Sequence, residues 1–105
     1  MYNKGEGVAQ DYREAVKWFH LAAEQGNAGA QGHLGVKYAN GQGVPQDFLR
    51  AYMWSNLAAA ALSGNEGKAA IEIRDRIASK LTAAQVVKAQ EMARRCQQSK
   101  FKECD

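Results

Sequence analysis

The sequence predicts an all-α protein built from repeats, and three observations support this prediction. Long stretches consist of Ala, Leu, Glu, Lys, Gln, Arg and Met, the residues with the highest helix propensity. The 105 residues contain one proline, Pro45, and no run that alternates apolar and polar residues as a strand does. The stretch MYNKGEGVAQDY at residues 1–12 recurs as KYANGQGVPQDF at residues 37–48, which indicates an internal sequence repeat.

The repeat extends beyond this loop. Aligning each residue with the one 36 positions later pairs many identical residues. The identical pairs are Tyr2/Tyr38, Gly5/Gly41, Gly7/Gly43, Val8/Val44, Gln10/Gln46, Asp11/Asp47, Ala15/Ala51, Trp18/Trp54, Leu21/Leu57, Ala22/Ala58 and Ala23/Ala59. Their apolar members recur at helical spacing, so we expect one packed helix face. We assign Tyr12, Trp18, Tyr38, Phe48 and Trp54 to this core rather than to a ligand site.

The first expected helix covers residues 11–25. Asp11 is placed to accept hydrogen bonds from the first helical turn, and Glu14 would complete a capping box. Gly26 then ends the helix, since glycine readily adopts the left-handed conformation found after a helix.

The second helix is expected over residues 28–40, after Asn27 as its cap. Several glycines interrupt this helix, and we expect Gly35 to lie against a neighbouring helix. A loop over residues 41–46 follows, in which Gly41 takes the left-handed conformation that closes the helix.

The remaining elements are three helices and a short tail, expected at residues 47–63, 66–80, 82–98 and 99–105. Asp47 is the expected cap of the first of these helices, and Gly64 its end. Asn65 would then cap the next helix. Thr82 and Gln85 form the pattern of a capping box at the start of the last one.

These residues resemble the Sel1-like (Sel-one-like) repeat family, a branch of the tetratricopeptide-like helical repeats. The matching positions are Ala28, Ala30, Gln31, Leu34, Gly35, Tyr38, Gly41, Gly43, Val44, Asp47, Ala51, Trp54, Ala58, Ala59 and Gly64. The resemblance implies an α-solenoid of antiparallel helix pairs whose concave face binds another polypeptide. The segment RDRIASKLTAAQVVKAQEMARRC is similar to the C-terminal capping helices of bacterial members.

The resemblance also implies a domain organisation. Residues 1–105 form one repeat domain, divided into a truncated repeat, a full repeat, capping helices and a tail, at residues 1–27, 28–65, 66–98 and 99–105. Met1 aligns with Lys37, near the end of a helix, so we expect a C-terminal fragment of a longer bacterial protein. Any signal peptide would lie upstream of Met1, and a periplasmic or secreted parent is favoured.

A truncated first repeat predicts an uncovered helix flank. The expected exposed surface comprises Ala15, Val16, Trp18 and Ala22 of helix 11–25. An exposed apolar patch recruits partners, so we expect a homodimer through this N-terminal end.

Composition and charge exclude several classes of protein. The net charge of +3 is too small and too diluted by acidic residues for a nucleic-acid-binding surface. The sequence contains no run of eighteen or more apolar residues, so we predict no membrane span. The GEGV and GQGV loops lack the strand context of a phosphate-binding loop, and His20 and His33 lack metal-ligand spacing. We therefore expect no cofactor, no metal and no catalytic residues.

The predicted function is a protein-interaction scaffold or adaptor that binds a protein or peptide. Helix 28–40 would line the concave face, because the first helix of each pair does so in the family. The groove candidates are the residues opposite its packed side, namely Gly29, Gly32, His33, Val36 and Asn40.

The C-terminal tail carries the remaining chemical candidates. Cys96 and Cys104 form a disulfide only if the chain folds back at QQSK; otherwise they are two free thiols. A disulfide would favour an oxidising compartment. Ser99 and Lys102 form an S-x-x-K string, without the further motifs of acyl-serine enzymes. Cysteine-rich relatives nevertheless suggest an alternative function, a β-lactam-binding or β-lactam-hydrolysing enzyme.

Overall fold

The described chain folds into five α-helices. A computed structural model describes the backbone of residues 4–104 and the side chains of residues 11–104. The helices are α1 (Lys4–Glu24), α2 (Ala28–Asn40), α3 (Phe48–Ala61), α4 (Gly64–Ala78) and α5 (Ala83–Gln98). Each of α1 to α3 packs against the next helix in the chain, and α5 packs on α3. The all-α helical-repeat fold predicted from the sequence is confirmed.

Helix α3 forms the centre of the molecule, because α2, α4 and α5 all pack against it. Its side chains Met53 and Trp54 are fully buried, and Leu34 of α2 is buried beside them. This confirms the prediction that Trp54 belongs to the core. Burying a large apolar side chain contributes about 1.5–3 kcal/mol, so α3 carries much of the stability.

Helices α2 and α3 approach each other closely at a glycine. A Cβ on Gly35 would collide with the hydroxyl of Ser55 and would lie 3.1 Å from the carbonyl oxygen of Ala51. The prediction that Gly35 lies against a neighbouring helix is therefore confirmed. Gly32 has more room, since its Cβ would lie 3.5 Å from that of Ala58, an ordinary contact.

The predicted caps of α2, α3 and α5 are present. Asn27 accepts a hydrogen bond from the Ala30 N–H at 2.9 Å, and Asp47 accepts one from the Arg50 N–H at 3.1 Å. Thr82 and its partner Gln85 form both bonds of a capping box. Each cap satisfies backbone donors that a helix leaves unpaired at its N-terminus.

The predicted loop after α2 is also confirmed. Gly41 lies in the left-handed region with φ of 66°, and its N–H donates to the carbonyl of Lys37. Gly43 has φ of 85°, and a Cβ there would collide with the backbone of Tyr12 and Arg13. The loop therefore needs glycine both for its conformation and for its close contact with α1.

The predicted start of the first helix is wrong. Helix α1 begins at Lys4 rather than at residue 11, so Asp11 lies inside it and caps nothing, and no capping box forms with Glu14. In the second copy, Gly41 and Gly43 take positive φ after the helix ends, and Gly43 packs on the backbone of α1. In the first copy, the helix continues through the equivalent stretch. The Lys, Glu, Ala and Gln residues around Gly7 favour continued helix.

The predicted junction between the third and fourth helices is also wrong. Helix α3 ends at Ala61, and α4 begins at Gly64 with Ser63 as its N-cap residue, so Asn65 is not the cap. Gly67 explains the earlier start. Its backbone approaches the Leu62 carbonyl so closely that a Cβ would lie 2.7 Å from that oxygen. The chain therefore turns more tightly than the spacing of glycines and asparagines suggests.

The tail folds back onto α5. Lys100 and Phe101 both have positive φ, at 59° and 66°, and they reverse the chain. Cys104 thereby reaches Cys96, and the two form a disulfide with Cα atoms 4.3 Å apart. The half-buried ring of Phe101 lies beside Gly26 at the turn between α1 and α2. The tail therefore contacts both α5 and the turn between α1 and α2.

Candidate functional site

A groove opens between α2 and α4, with the first residue of α3 at its base. Its volume is about 360 Å³, and it is open to solvent. Apolar and polar side chains both line it, namely Val36, Ala39, Asn40, Gln46, Phe48, Ile73, Arg76, Ile77 and Lys80. The apolar members form a floor between the two helices. The groove therefore offers apolar surface that the described chain leaves partly uncovered.

The charged side chains that line this groove are basic. Arg76 lies in the last turn of α4 and Lys80 lies just after this helix; both are exposed, and the lining includes no carboxylate. The amides of Asn40 and Gln46 lie on the α2 side, where Gln46 donates a 2.9 Å hydrogen bond to the carbonyl of Ala39. An apolar floor beside two cations can accept an apolar side chain that has a carboxylate nearby.

The structure separates the five groove candidates into two sets. Val36 and Asn40 line the groove between α2 and α4. Gly29, Gly32 and His33 lie elsewhere on α2. Gly32 faces α3, and the His33 ring stacks on Phe19 of α1 with centroids 4.8 Å apart.

Sequence reasoning missed the α4 side of the groove. Ile73, Arg76 and Ile77 share one face of α4, as their spacing of three and four residues requires, and Lys80 follows just after the helix. This spacing was readable from the sequence. The resemblance assigned residues 66–98 to a cap, however, and a cap suggests a solvent-facing surface rather than a groove wall.

A second exposed surface lies on α1. Trp18 is 66% exposed and Leu21 is 53% exposed, and both line a shallow depression with charged residues of the same helix. The assignment of Trp18 to the core is therefore wrong. Its counterpart Trp54 is buried partly because His20 of α1 covers it, with ring centroids 6.1 Å apart. No described helix covers Trp18 in the same way.

The expected membership of this exposed flank needs one further correction. Val16 is only 5% exposed, because it packs in the core. Ala15 and Ala22 are half-buried. Leu21, which was not included in the expected flank, is the apolar residue that accompanies Trp18.

Ser99 and Lys102 of the S-x-x-K string form hydrogen bonds within the tail and the end of α5. The Ser99 hydroxyl donates to the carbonyl of Cys96 at 2.9 Å, and its oxygen accepts from the N–H groups of Lys102 and Glu103. These bonds stabilise the end of α5 and the reversed tail. They also occupy the oxygen that a nucleophilic serine would need.

His20 of α1 is engaged within the fold. His20 is hydrogen-bonded to the Tyr38 hydroxyl at 3.1 Å, which links α1 to α2. Within residues 11–104, no three His, Cys, Asp or Glu side chains are grouped so as to hold a metal ion. Of the helices described, none is both long and apolar enough to cross a membrane.

Comparison with known proteins gives one match. The family model described as the Sel1 repeat matches the sequence twice, at residues 1–27 and 28–61. The two matched segments meet at the turn between α1 and α2 and end at the last residue of α3. No curated protein and no solved structure matches the chain.

Proposed function

Because this chain belongs to the Sel1 repeat family, whose repeats generally mediate protein–protein interaction, we propose that it binds a polypeptide in the groove between α2 and α4. The observation that supports this proposal most directly is the groove itself. Apolar side chains that could have been covered by the fold remain accessible, and two cations border them. The first helices of successive pairs, α2 and α4, supply the two walls.

The lining of the groove defines the chemistry of the partner. Phe48, Ile73 and Val36 favour an aliphatic or aromatic anchor residue, whose burial contributes about 1.5–3 kcal/mol. Arg76 and Lys80 favour acidic residues next to that anchor. Charges at the rim of an interface mainly accelerate association and select the partner. The proposed partner is therefore an acidic segment with at least one large apolar residue.

The enzymatic alternative receives no support from the described residues. Ser99 is held by hydrogen bonds within the tail, and the disulfide pair lies beside it rather than in the groove. We therefore propose a scaffold role, in which binding rather than chemistry is the activity.

Selection of peptides from a display library, with the whole chain immobilised, tests the proposal. We expect the selected peptides to combine a large apolar residue with Asp or Glu. In a fluorescence-anisotropy titration, the double variant Arg76→Glu/Lys80→Glu should bind them about tenfold more weakly or worse. The control Lys88→Glu, on the exposed surface of α5, should bind as the parent does. Equal affinity of parent and double variant would contradict the groove assignment.

A further inference from the structure

The outer face of α1 is built like a contact surface. We define this face as Arg13, Glu14, Lys17, Trp18, Leu21 and Glu24, all of which are exposed and line one depression. Trp18 and Leu21 are three residues apart, so they lie side by side on the helix. Val16 and Ala23 of the same helix are buried in the core.

The second copy of the repeat covers the equivalents of these two positions. In the second copy, the equivalent residues Trp54 and Leu57 are 1% and 4% exposed. In the first copy, Trp18 and Leu21 are 66% and 53% exposed. The same residue types in the same repeat positions therefore lie in the core once and at the surface once. The outer face of α1 has the composition of a helix–helix contact, but no described helix packs against it.

We propose that a second copy of this chain covers the outer face of α1, through an antiparallel, two-fold contact between the two α1 helices. The charges of the face support this occupant. Lys17 and Glu24 are seven residues apart, two turns along the same side of the helix. In an antiparallel pair, Lys17 of each copy meets Glu24 of the other, and Leu21 lies between the two ion pairs. The face is thus complementary to itself, as a two-fold contact requires.

A two-fold contact and head-to-tail stacking of copies would use different surfaces. The other exposed large apolar residues, Ile71 and Val87, lie singly on α4 and α5, so stacking would have to place the outer face of α1 in the groove between α2 and α4. A two-fold contact needs only the outer face of α1, and exchanging the charges of Lys17 and Glu24 distinguishes the two arrangements. Residues 13–24 of a helix span about 18 Å. This contact is smaller than a standard interface, so the dimer should be weak and dependent on concentration.

Light scattering and sedimentation equilibrium over micromolar to millimolar concentrations test the proposal with the whole chain. We expect the average mass to rise from the 11.5 kDa of the monomer toward twice that value. Trp18→Ala should abolish the rise, while the control Val87→Ala on α5 should retain it. Circular dichroism should show unchanged helix content for both, because both side chains are exposed. A parent chain that stays monomeric throughout would overturn the proposal and leave this face to another kind of occupant.

A charge exchange tests the antiparallel geometry separately. Lys17→Glu and Glu24→Lys should each be monomeric alone. In either variant, positions 17 and 24 carry the same charge, so both pairs across the two-fold contact are repulsive. An equimolar mixture of the two variants should form a heterodimer, because both pairs are then attractive. If both variants dimerise alone as strongly as the parent, or if the mixture remains monomeric, the proposed contact is wrong. This outcome is independent of the groove, since neither residue lines it.

Discussion

At the residue scale, two glycines on α2 should respond oppositely to the same substitution. A Cβ at position 35 would collide with Ser55, so Gly35→Ala should lower the free energy of unfolding by about 1–3 kcal/mol. A Cβ at position 32 would make an ordinary contact, so Gly32→Ala should raise that free energy by about 0.5–1 kcal/mol through higher helix propensity. Urea denaturation measures both. The opposite order of stabilities would show that the α2–α3 contact is described incorrectly.

The two copies of the capping aspartate provide a matched pair. Asp47 caps α3, so Asp47→Ala should lower the free energy of unfolding by about 1 kcal/mol. Asp11 is exposed within α1, so Asp11→Ala should change it by less than about 0.5 kcal/mol.

A further substitution separates the cap from the ion pair that Asp47 forms with Arg50 at 2.8 Å. Asp47→Asn keeps the capping oxygen, so thermal unfolding should show most of the stability retained. If Asp11→Ala proves as costly as Asp47→Ala, the first repeat begins its helix at residue 11 after all.

Caps and core residues were the most predictable features at this scale. Asn27, Asp47 and Thr82 were assigned correctly because capping depends on local hydrogen bonds that a short stretch of sequence specifies. Asp11 and Trp18 were not, although their repeat counterparts behave as predicted. Asp11 lies inside α1, because that helix continues through the stretch where the second copy turns. Trp18 is exposed, as the expectation of an uncovered flank required and the assignment to the core did not.

At the element scale, the disulfide should stabilise the reversed tail. Closing the short loop between Cys96 and Cys104 restricts the unfolded chain, so reduction should lower the free energy of unfolding by about 2–3 kcal/mol. Guanidinium titrations with and without reductant measure this difference. Most of the helical circular dichroism should persist after reduction, because α5 ends before the tail.

The state of the two cysteines can be checked independently. Mass spectrometry of protein purified without reductant should show a mass lower by two hydrogen atoms than that of the reduced chain. Two thiols that react with an alkylating reagent under the same conditions would contradict the bonded tail, and with it the position of Phe101 beside Gly26.

Five helices were expected from the sequence and five are present in the described residues, with the boundaries of α2 and α5 closest to expectation. These two helices begin at clear caps, Asn27 and Thr82. The junction at residues 62–64 was misjudged, because the close approach of Gly67 to Leu62 is a contact in space rather than a sequence signal.

At the scale of the whole molecule, the groove was only half predictable. The helical face that contains Val36 and Asn40 could be identified once α2 was recognised. The basic wall formed by Arg76 and Lys80 depends on how α4 lies beside α2, and no local pattern specifies that arrangement. The fold therefore followed from repeats and caps, whereas the chemistry of the site required the packing of separate elements.

The most direct test of the central claim is an NMR titration of the whole chain with a selected acidic peptide that contains one large apolar residue. If the groove between α2 and α4 binds the peptide, the largest amide shift changes should occur at residues 36–40 and 73–80. Residues of α5 such as Val87 should shift little, because α5 lies outside the groove lining. Shift changes concentrated on α1 or α5, with residues 36–40 and 73–80 unchanged, would contradict the proposed binding surface.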